Sequence, residues 1–125
     1  MQVSIDRTDR ASLDATARQA VQLLCAGQFD ALAKSFGYAV ALGREPASAI
    51  EADLHSSLEA LGRSLLVPNV GHQTAVTYFE PEQDLFAVVE CALPASNGRQ
   101  LLVELVVTKR EEFAHVTLEQ ISVAA

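Results

Sequence analysis

Two periodicities divide the chain. From Ser12 to Ala26 the apolar residues Leu13, Ala17, Ala20, Val21 and Leu24 recur at helical spacing, and Gly27 follows where a helix C-terminus favours glycine. A first helix is expected there. A short second helix, capped by Asp30 and closed by Gly37, would put Phe29, Leu32, Ala33 and Phe36 on one side. Tyr38 to Leu42 is brief, apolar and partly β-favouring, and reads as a short strand. Pro46 in a first turn and a Ser48–Glu51 capping box then open a third helix. Its core stripe is Ile50, Leu54, Leu58 and Leu61, and Gly62 can end it.

From Leu65 the period alternates. Strand-like runs cover Gln73 to Phe79, Leu85 to Leu93, Gln100 to Thr108 and Ala114 to Val123. Turn signals separate them at Pro81 to Asp84, at Pro94 with Asn97 and Gly98, and at Lys109 to Glu112. Connections this short join antiparallel neighbours. The expected fold is therefore α+β, with three N-terminal helices packed on an antiparallel sheet of four to five strands, in a single domain over residues 1–125.

Hairpins symmetric about these turns set Glu90 opposite Glu104, and Glu104 opposite Glu119. One sheet face then carries Val76, Tyr78, Ala87, Val89, Cys91, Leu93, Leu101, Val103, Leu105, Val107, Val116 and Leu118 and must meet the helices. The other face carries Thr77, Phe79, Phe86, Val88, Val106, Thr108, His115 and Thr117, with the acidic row Glu90, Glu104 and Glu119 beyond. Phe79, Phe86, Val88 and Val106 form an exposed apolar patch of the kind that marks an interface, and a homodimer held there is expected.

Composition narrows the function classes. Half of the 125 residues are hydrophobic and a fifth are charged, a globular balance. Sixteen acidic residues against nine basic ones give a net charge of -7, and no local basic patch offers nucleic acid its phosphate contacts. Met1 to Arg10 is too polar for the apolar stretch of a signal peptide, and no apolar run reaches membrane-spanning length. Cys25 and Cys91 are too few and too far apart for a disulfide framework or a metal knuckle, so free thiols and a cytoplasmic location are expected.

The element order, together with the stretch LLCAGQFDALAKSF from Leu23 to Phe36, resembles the nuclear transport factor 2-like superfamily, including its ketosteroid isomerase-like and SnoaL-like members. The resemblance implies a curved sheet wrapped around the helices as a cone, a cystatin-like fold, and pairing of two copies back to back. It also implies where an isomerase would keep its catalytic groups. A tyrosine of such enzymes falls at Ala20, and their inward-facing acid falls among Leu101, Val103, Leu105 and Val107, all aliphatic here. Glu45 and Asp53 fall in or beside the third helix, away from the expected base. Isomerase chemistry of that type is disfavoured.

Tyr38, Tyr78, Cys91 and Cys25 could line the mouth of an interior pocket for a small apolar ligand, with Phe36 and the aliphatic strand positions forming its walls; the alternative is that they are ordinary core residues. His55, His72 and His115 are scattered, with no ligand spacing, so no metal and no cofactor is expected. The acidic row could bind a hard cation or a partner's arginines, or could be a hydrated outer face. Three functions stay open: a non-enzymatic or ligand-binding homodimer, a SnoaL-like or isomerase-like enzyme on a small hydrophobic substrate, and a protein-interaction module using the outer sheet face.

Overall fold

The computed structural model describes residues 1–63, 65–67, 73–80 and 84–124. Helix α1 spans Arg10–Cys25 and buries Leu13, Thr16, Ala17, Ala20, Val21 and Leu24. Asp9 caps it, its carboxylate accepting from the backbone N–H and the hydroxyl of Ser12. Helix α2, Phe29–Phe36, starts at Gln28 without a side-chain cap; Asp30, expected to cap it, sits inside its first turn. Helix α3, Pro46–Ala60, is capped by Glu45, which accepts from the N–H groups of Ala47 and Ser48. That replaces the expected Ser48–Glu51 box, because the helix begins at Pro46 and Ser48 already lies within it.

The sheet contains β1 (Gln2–Ser4), β2 (Gln73–Tyr78), β3 (Leu85–Pro94), β4 (Gln100–Arg110) and β5 (Phe113–Val123), in the order β1-β5-β4-β3-β2 and antiparallel throughout. It is curved and open, with three helices against it, as the α+β reading expects. The fifth strand is not the anticipated one. Tyr38–Leu42 forms a 3₁₀ turn over Ala39–Ala41, and Leu42 turns left-handed at φ 52°. Arg44 draws this segment back on itself by donating to the carbonyls of Val40 and Ala41. The fifth strand is instead the polar segment Gln2–Ser4, paired along β5.

The inner face packs as expected. Ala87, Val89, Cys91, Leu101, Val103, Leu105, Val107, Val116 and Leu118 are at most 1% exposed and share one core cluster with the helical stripes. Two bulges alter the register. Leu85 pairs with Thr108 and Ala87 with Val107, so Phe86 is the extra residue. Glu104 pairs with Gln120 and Leu105 with Leu118, so Glu119 is the extra residue in β5. The pairing of Glu90 with Glu104 holds, but Glu119 is not opposite Glu104.

On the side of β2 that pairs with no further strand among the described residues, Arg10 Nη1 donates to the Val76 carbonyl at 2.8 Å, with its guanidinium 5.3 Å from the centre of the Tyr78 ring. The Tyr78 hydroxyl donates to the Thr8 carbonyl at 2.7 Å. The start of α1 is thereby fastened to the sheet edge.

Candidate functional site

Of the residues expected to line a pocket, three share the core and one lies at the sheet edge. Phe36, Tyr38 and Cys91 are buried in the core cluster, whereas Tyr78 is 37% exposed at the β2 edge. Burial pushes the Cys91 thiol up to about 11; Thr74, directly across the strands, opposes this with its hydroxyl but without a hydrogen bond of standard geometry. A thiol held neutral this way is a poor nucleophile. Cys25 is exposed at the end of α1 and also free.

Tyr38 has a defined polar partner. Its hydroxyl donates to Asp53 Oδ2 at 2.6 Å, and Arg44 closes a fork on the same carboxylate through Nη1 at 2.9 Å and Nη2 at 3.1 Å. Burial first, then the Asp53 hydrogen bond and charge, hold the phenol proton far above its usual range, while the Ile121 backbone N–H acts the other way. Arg44 holds the Asp53 carboxyl below its usual range. The three groups satisfy one another and clasp the 3₁₀ turn to α3, a structural role rather than that of a poised acid or base. Asp53 carries no spacing motif; only a tyrosine in an apolar run, which needs a partner once buried, hinted at it.

The outer face is laid out in cross-strand rows. One row is Thr77, Val88, Val106 and Thr117; the next is Ala75, Glu90, Glu104 and Gln120; the third is Gln73, Ala92, Leu102 and Ser122. Beyond the valines lie Leu85, Thr108, His115 and Gln2. No lysine or arginine stands in these four rows. Of the expected interface patch, Val88 and Val106 lie side by side and Phe79 is exposed just after β2. Phe86 is a correction: the bulge turns it against the core, edge-on to Tyr78 at 5.6 Å and beneath the Lys109 ammonium at 5.7 Å.

Burial, then the charges of Glu90 and Glu119, push the Glu104 carboxyl up. Glu119 therefore still acts on Glu104 despite the bulge. Among the described residues no ion pair neutralises these three carboxylates, and no group of three His, Cys, Asp or Glu side chains is arranged to hold a metal ion. His55 lies on α3 and His115 on the outer face, while His72 and most of the Pro81–Asp84 turn lie outside the described residues. No described helix is long and apolar enough to cross a membrane. In comparisons with known proteins, no family model matches the chain, and no curated protein or solved structure matches it at a significant level.

Proposed function

We propose that this chain is a non-catalytic interaction domain of the nuclear transport factor 2-like kind, acting in the cytoplasm through the outer face of its sheet. The carrying observation is the asymmetry of the two faces. The helical stripes and the inner strand positions form a single core, whereas the valine row and the Ala92–Leu102 row stay partly exposed with no helical stripe against them. An internal apolar ligand would have to displace Phe36, Tyr38 and Cys91 from packed surroundings. A second copy is the second reading, favoured by the adjacency of Leu85, Val88 and Val106 at one end of the face.

Carbene footprinting of the purified protein, compared with the same protein in concentrated cell extract, tests the reading. Val88, Leu102 and Val106 should be protected in extract while the core stays unchanged. Equal labelling of these rows in both samples would overturn it, as would protection by small apolar compounds mapped to Phe36 and Cys91.

A further inference from the structure

The outer sheet face combines two properties that point to a partner of particular chemistry. It has uncharged rows built around Val88–Val106 and Ala92–Leu102, and between them a row whose only charges are Glu90 and Glu104, with Glu119 delivered beside it by the β5 bulge. Residues two apart on a strand are about 6.7 Å apart, so each uncharged row lies one side-chain diameter from the carboxylates. Directly opposed glutamates repel each other in the free protein, and nothing described in the chain compensates them. We infer that this face docks a basic amphipathic protein segment whose arginine or lysine side chains meet Glu90 and Glu104 while flanking apolar side chains cover Val88, Val106 and Leu102.

The inference rests on the outer-face reading above and names the partner's chemistry. Electrostatics select among occupants. A second copy laid across the whole face by a two-fold axis would bring its own glutamate row towards this one, in a chain already carrying a net charge of -7. Nucleic acids and anionic membranes would be repelled by the same row. A cationic segment relieves the Glu90–Glu104 repulsion on binding, and its apolar flanks exclude water from the contact. A surplus of carboxylates steers such a segment inward and makes association sensitive to salt.

The test uses the full chain as bait for a random-peptide library displayed on phage, with the Glu90→Gln/Glu104→Gln double variant as parallel bait. The wild type should enrich sequences with arginine or lysine set between apolar residues. Synthetic versions should lose about tenfold in affinity for the double variant or on moving from low to high salt. Leu102→Gln should also weaken them, and thermal melts should show both variants folded. Enrichment of acidic or uncharged sequences, no enrichment at all, or enrichment indifferent to the two glutamates would overturn the inference. So would self-association of the wild type that the double variant strengthens, since a second copy would then be the occupant. Footprint protection of the valine row in extract with a failed peptide selection would leave the outer-face reading standing and remove only the partner's chemistry.

Discussion

Replacing Asp53 by alanine should destabilise the fold by about 2 kcal/mol at neutral pH. The Tyr38 side chain is 7% exposed and its hydroxyl would lose the carboxylate that accepts its proton, a loss of about 1–3 kcal/mol for a buried donor left without a partner. The Arg44 fork adds little, about 0–1 kcal/mol, because the guanidinium side chain is 44% exposed and screened by water. Alanine's helix propensity within α3 returns a few tenths of a kcal/mol. For a chain of this length the net loss lowers the thermal midpoint by roughly 6–10 °C. The carboxyl is held below its ordinary value in the folded protein, chiefly by Arg44. Its stabilising charge is thus fully present above about pH 4 and is lost as pH falls through the lower folded value. The deficit of Asp53→Ala should shrink in acid accordingly. Urea titrations of Asp53→Ala, Tyr38→Phe and the double variant give the coupling directly, expected at about 1 kcal/mol. Additive losses, or a single variant within about 0.5 kcal/mol of wild type, would refute the clasp.

Three further outcomes are expected. Glu104→Gln should stabilise the fold by about 0.5 kcal/mol at pH 7, because burial and the neighbouring glutamates disfavour its charged form. That penalty sets in as pH rises above the unfolded value, so the gain should vanish near about pH 4 in urea melts; an equal gain in acid would count against it. Leu105→Ala, at a position 0% exposed, should cost about 2–5 kcal/mol, and an unchanged thermal midpoint would contradict its place in the core. Glu111 holds a left-handed φ of 52° in the β4–β5 turn, so Glu111→Gly should raise stability by about 0.5–1 kcal/mol whereas Glu111→Val should lower it. A Glu111→Gly variant no more stable than wild type in thermal melts, or a Glu111→Val variant equal to it, would show the strain to be absent.

Long periodic segments were legible in the sequence because burial leaves a repeating mark. Ile50 and Leu54 on α3 with Leu61 at its C-cap, and the alternation from Val103 to Val107 on β4, set their elements and their inward faces correctly. Short segments carry too few residues for a period. Tyr38–Leu42 is apolar enough for a strand, but Arg44 and Asp53 fold it into a turn through contacts between residues nine apart. Gln2–Ser4 becomes a strand by borrowing the edge of β5, which its own composition does not announce. The bulges at Phe86 and Glu119 were illegible for a related reason: alternation survives on either side of an inserted residue, and only the pairing reveals it. The acidic pair Glu90–Glu104 was legible because the turn between β3 and β4 fixes its register, whereas Glu119 and Phe86 each changed position with a bulge.

An open sheet ends in backbone groups that can pair with a passing chain, and a six-residue strand at such an end invites growth by strand addition or aggregation. Arg10 occupies the Val76 carbonyl on that border, and its charge stands over Tyr78, whose hydroxyl is itself tied back to Thr8. A visiting strand would have to evict the guanidinium before it could make its central bond to β2. Arg10→Ala should therefore leave the fold standing while unlocking the border, seen as faster fibril or oligomer growth at raised concentration. With that route guarded, the docking proposed for the outer face would rely on side chains projecting from the sheet rather than on main-chain zippering along the β2 rim.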